Sequence, residues 1–171
     1  MRRILTLGAL ILLTFILQGT VFQELSVASI APNLLLILTV SFGFIRGKKE
    51  GLFVGFFCGF LIDIFYGNLI GFYSLLYMYI GYINGMFYNI FYDEDVKVPM
   101  FLVAVSDLVY GFAVYGLQFM LRGRLHILNY VRHIILPEMV YTVLITIVFY
   151  RIFYQINSWL AEYEWEGPRL P

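Results

Sequence analysis

Charge is the scarcest property of this sequence. Only 13% of its 171 residues are Asp, Glu, Lys or Arg, about half the share found in a soluble globular domain. With 61% hydrophobic residues and a mean hydropathy of +0.85, a separate catalytic domain in water is excluded. The few charges also balance, 11 basic against 11 acidic, so nothing suggests nucleic acid or an acidic partner. Cysteine is nearly absent: Cys58 stands alone inside an apolar run, which excludes an intramolecular disulfide framework and a cysteine-based metal site. His126 and His133 are the only histidines, too few ligands for a metal without others. There is no His-Glu-x-x-His helix, no nucleophile paired with a base, and no glycine loop followed by Lys and Ser or Thr to cradle a phosphate. The expectation is a protein with no catalytic residues, no metal and no cofactor.

Long apolar runs fill the space the charges leave. About 20 apolar residues cross a bilayer as a helix, and six hydrophobic segments stand at 4–22, 33–45, 51–66, 72–92, 98–121 and 134–154. They predict an all-α integral membrane protein: one polytopic domain over 1–171, with a bundle of about six transmembrane helices in contact with lipid. The first run follows Arg2 and Arg3 and would also suit a signal peptide cleaved at Ser26-Val27-Ala28. Such peptides carry an apolar core of about 7 to 15 residues, and this one is longer, so a span is expected. The second run, introduced by Pro32, covers only about 20 Å as helix, against a bilayer core of about 30 Å. Either 25–31 complete it around a kink, or it crosses partway. Tyrosine and tryptophan clusters predict interfacial belts.

The charges set the orientation. If all six segments cross, eight of the 11 basic residues fall on the side of the N-terminus: Arg2, Arg3, Arg46, Lys48, Lys49, Lys97, Arg151 and Arg169. Arg122, Arg124 and Arg132 fall on the other. This bias places both termini in the cytoplasm, with Arg2, Arg3, Arg46, Lys48 and Lys49 setting the topology. The segment 122–133 carries Leu125, Ile127, Leu128 and Val131 among its basic residues. It either lies flat in the headgroup region with its arginines snorkelling or is a solvated loop.

The most informative stretch is Gly51-Leu-Phe-Val-Gly55-Phe-Phe-Cys-Gly59-Phe-Leu-Ile-Asp63-Ile-Phe-Tyr-Gly67. Residues four apart share one helical face, so Gly51, Gly55 and Gly59 form a smooth stripe that leads to one carboxyl. Small-xxx-small faces let helices approach closely in lipid, and Gly81 with Gly85 repeats the spacing as a candidate partner face. Asp63 requires a partner, because a charge at the bilayer centre costs roughly 2.5 to 3.5 kcal/mol. Asn84, a tyrosine hydroxyl or an arginine of 122–132 are candidates; structural anchoring and ion handling are the two roles open to it. Asp107 lies mid-segment without an evident partner. Glu138, just after Pro137, suits the first turn of a helix, where the dipole favours an acid.

The run Pro32-Asn33-Leu-Leu-Leu, the turn Arg46-Gly47-Lys48-Lys49-Glu50-Gly51, then Val54-Gly55, Gly59, Leu61, Asp63, Gly67, Gly71, Tyr79, Gly81 and Tyr82 resemble the rod-shape-determining protein MreD family. The resemblance is densest over 32–85 and extends by length and segment count to the whole chain. A proline opens the last segment as in the family, but Glu138 stands where members often carry an amide. The resemblance implies a non-catalytic protein of the bacterial cytoplasmic membrane. It implies action beside MreC in an elongation machinery that joins MreB to the glycosyltransferase RodA and a transpeptidase for peptidoglycan synthesis. It also implies a fold similar to the six-helix substrate-binding subunits of energy-coupling-factor vitamin transporters. Such a transporter subunit is the alternative function, with Asn84, Asn89, Asp107 and Gln118 as polar groups that could converge on a ligand. The glycine face is then expected to pack within the bundle or against the transmembrane helix of an MreC-like partner.

Overall fold

The computed structural model describes residues 2–24, 30–89, 96–123 and 126–165. Ser26-Val27-Ala28, Arg124, Leu125 and Arg169 lie outside the described residues, as do the side chains of Asn89 and Gln118. The regular elements are all helical. Helix α1 (Arg2–Gly19) continues beyond Thr20 as α2 (Val21–Glu24); then come α3 (Leu34–Arg46), α4 (Lys48–Phe65) and α5 (Phe72–Gly85), the last running into a 3-10 turn at Met86–Asn89. Helix α6 (Lys97–Arg122) is followed by α7 (Ile127–Tyr130), a π-helical turn at Val131–Ile135 and α8 (Leu136–Trp165). The segment 122–133 is thus largely helical where described, and it feeds directly into α8.

Helix α3 occupies the centre. Every residue from Leu34 to Phe44 is buried, as expected of a helix that is apolar on all sides, and α1, α4, α5, α6 and α8 surround it. The chain reverses after α3 through Gly47 alone, whose φ of 98° lies in the left-handed region that costs glycine least. Helix α4 returns against α3 and packs along its length on α5.

Three helical stretches are long and apolar enough to cross a membrane: Arg2–Glu24, Lys97–Arg122 and Ile127–Glu162. Of the six segments expected to form a transmembrane bundle, three therefore meet that standard. Helices α3 and α5, with 13 and 14 residues, reach only about 20 Å at 1.5 Å per residue. Helix α4 has 18 residues but carries Lys48, Lys49, Glu50 and Asp63. An apolar run therefore became, in α3, a helix enclosed by protein. The last helix extends beyond the apolar run that ends at 154, because polar residues there also find partners: Asn157 accepts from the Arg46 guanidinium. Arg3 pairs with Glu50. These two contacts gather the start of α1, the α3–α4 turn and the later part of α8 at one end of the molecule.

Candidate functional site: a glycine face and a buried polar network

Where α4 meets α5, the glycines are places of backbone contact. A Cβ added at Gly51, Gly55 or Gly59 would lie closer than 3.0 Å to the backbone of Gly81, Tyr77, and Tyr73 with Ser74, respectively. Gly81 meets Gly51 in return, and Gly85 meets the backbone of Lys48 and Gly47. Gly43 of α3 joins the same cluster, 2.7 Å from its would-be Cβ to the Gly81 carbonyl oxygen. Backbone cannot rotate aside as a side chain can, so any larger residue must separate the helices. Gly67 is different in kind: its Cβ would strike the backbone of Asp63, one turn earlier in its own chain.

Asp63 closes this face. Its carboxylate accepts from the backbone N–H of Tyr73 at 3.0 Å, from that of Ser74 at 2.9 Å, and from the Ser74 hydroxyl. Tyr73 and Ser74 lie in the first turn of α5, where N–H groups lack intrahelical acceptors and the dipole attracts an anion. Gly71, the residue at the cap position, has no side chain to satisfy them. Hydrogen bonds to a charged group contribute about 1.5–3 kcal/mol each, so three of them exceed the insertion penalty of roughly 2.5 to 3.5 kcal/mol. The partner is neither Asn84, a tyrosine hydroxyl nor an arginine, but the start of the next helix.

A second polar system surrounds the start of α3. Asn33 caps it, its Oδ1 accepting from the Leu36 N–H at 3.2 Å and from the Tyr77 hydroxyl at 2.7 Å. The Leu35 N–H donates to Gln18 Oε1 at 3.0 Å, and the Asn33 N–H donates to Thr142 Oγ1 at 3.2 Å. One residue thus ties α3 to α5 and α8, while α1 completes the cap. Tyr110 of α6 hydrogen-bonds Tyr77, and their rings stand edge to face at 5.6 Å. The Thr142 hydroxyl also bonds Asp107. Asp107 is 2% exposed, and its Oδ1 has no hydrogen-bond partner among the described residues. Glu138 lies within electrostatic range of Asp107, Tyr110 and Tyr130. The turn before Glu138 is already helical, so Glu138 does not sit at a free helix start with unpaired N–H groups to favour an acid. Asn84 serves elsewhere, donating to the Ile80 carbonyl and the Ser106 hydroxyl at 2.8 Å each and so joining α5 to α6.

Tyr77 is therefore no interfacial residue. It is fully buried, whereas Tyr79 and Tyr82 on the same helix are exposed. Gln18, Gly43, Tyr77, Tyr110 and Thr142 were not singled out from sequence; the lone Asn33 after Pro32, at the start of an apolar run, was the one available sign of this network. On the outer side of α4, Phe53, Phe57 and Phe60 face Leu7, Gly8 and Ile11 across an apolar groove of about 680 Å³ that ends at the Arg3–Glu50 pair.

The family model described as rod shape-determining protein MreD matches residues 1–157, which takes in every helix up to most of α8. No curated protein and no solved structure matches the chain.

Proposed function

The chain belongs to the rod shape-determining protein MreD family, and from that premise we propose that it is a non-catalytic scaffold of the cell-elongation machinery. In this reading it sits in the bacterial cytoplasmic membrane with both termini inside. It holds an MreC-like bitopic protein in register with the RodA glycosyltransferase and its transpeptidase, and so supports lateral peptidoglycan synthesis. The observation that carries the proposal is the family match across 1–157. The internal chemistry supports it: Asn33, Asp63 and Asn84, the buried polar groups with the most evident potential, are engaged in joining helices. The short early helices suit a fold like that of energy-coupling-factor substrate-binding subunits.

The glycine face belongs to the bundle in this reading, because α5 already covers it. A partner's helix must therefore use another surface. Depleting the protein in a rod-shaped host should give rounded cells, and a bitopic membrane protein should co-purify in mild detergent. Normal rods combined with lost vitamin uptake would support the transporter subunit instead, with Asp107 as the polar group to pursue.

A further inference from the structure

Between the end of α6 and the helical turns before α8 lies a cavity of about 580 Å³, within the size range of built ligand sites. Its walls are of two kinds. Arg122 supplies a cation, His126, Asn129 and His133 supply polar groups, and Phe119 with Ile134 supplies apolar surface. At 26 residues, α6 is about 39 Å long, longer than the roughly 30 Å hydrocarbon core. Its far end, where Gly123 turns the chain in the left-handed region, therefore reaches the headgroup layer.

The local backbone arranges these residues. The π-helical turn at Val131–Ile135 is a geometry found frequently at functional sites. His133 Nδ1 donates to the Asn129 carbonyl at 3.0 Å, which orients the ring and leaves Nε2 free to donate to an anion when the ring takes up a second proton. Arginine matches a phosphate with two parallel N–H donors. A free inorganic anion would leave the apolar wall unused, and a bare hydrocarbon chain would leave the cation unused. Glu138 is within electrostatic range of Tyr130 but does not line the cavity. Basic pockets between transmembrane helices at the cytoplasmic face take anionic lipid headgroups, and the same charge pairing operates in the opposite leaflet, where the orientation set by the basic residues puts this segment.

We propose that this cavity binds the phosphate of an anionic phospholipid, with Arg122 and His133 on the headgroup and Phe119 and Ile134 along the start of its chain. The site lies apart from the glycine face and the Asn33 network, and it stands whether or not the chain is a scaffold. The test is native mass spectrometry of the full chain in mild detergent, titrated with phosphatidylglycerol or phosphatidylcholine. Phosphatidylglycerol should be retained about tenfold more strongly, the effect of one or two charge-assisted bonds. Arg122→Gln should abolish that preference, and Arg132→Gln, outside the lining, should not. Millimolar inorganic phosphate should fail to displace the lipid. If Arg122→Gln does not fold, His133→Gln should still lower the preference severalfold. Equal retention of both lipids, an equal loss in Arg132→Gln, or displacement by inorganic phosphate would each overturn the proposal.

Discussion

The α3–α5 unit and the α6–α8 pair are made from the same apolar alphabet but hold together differently. In the first, helices are short and meet backbone to backbone at Gly43, Gly51, Gly55, Gly59, Gly81 and Gly85. In the second, helices are long and meet through side chains. The three atoms nearest an added Cβ at Gly111 of α6 all belong to the Ile135 side chain, the first at 3.0 Å, and at Gly116 nothing lies within 4 Å. Glycine in a membrane helix therefore has no single meaning. What decides it is whether the opposing atom can move.

That contrast can be broken most forcefully at Gly55. Gly55→Leu should lose folded protein almost completely, since overpacking already costs about 1–3 kcal/mol when side chains can shift and here the obstacle is the Tyr77 backbone. Gly116→Leu should leave the yield of monodisperse protein in detergent unchanged. Comparable yields for the two would remove the distinction between the regions. Asp63→Ala follows in size, at about 3 kcal/mol, because it strips three hydrogen bonds from the start of α5. Ser74→Ala should cost about 1.5 kcal/mol, the low end for a bond to a charged group. Thermal stability in detergent should rank these variants in that order, and a neutral Asp63→Ala would free that carboxyl for an ion-handling role.

Smaller effects sharpen the picture. Tyr77→Phe should cost about 1 kcal/mol, and a double-mutant cycle with Asn33→Ala should show coupling of at least 0.5 kcal/mol, as residues in one network do. Additive losses would separate the cap of α3 from α5. Smallest of all, Gly111→Ala should stay below about 1 kcal/mol, because the obstacle is the Ile135 side chain and not backbone, and it need give by only a few tenths of an ångström.

The glycine spacing was legible in sequence because it repeats every four residues, the period of a helix face. The apolar segments were legible too, but their fate was not. An apolar run reads alike whether lipid or protein surrounds it, and only the assembled bundle distinguishes enclosed α3 from largely exposed α1. The partner of Asp63 was hidden for another reason: backbone N–H groups carry no letter in a sequence. The Asn33 network joins residues 44 and 109 positions apart, and no local pattern marks such pairs. The segment at 122–133 stood out by its arginines and by the apolar residues spaced among them, while its direct continuation into α8 was not marked by either.

The central claim is that the buried polar groups hold this protein together and do not perform chemistry. Asp107 tests it most directly, being a carboxyl buried to 2% exposure with one oxygen unpartnered among the described residues. Cells depleted of the protein should be complemented with Asp107→Asn, with cell width measured beside the amount of folded protein in the membrane. The account predicts that rods return whenever folded protein reaches the wild-type amount. Rounded cells at the wild-type amount of folded Asp107→Asn would contradict it.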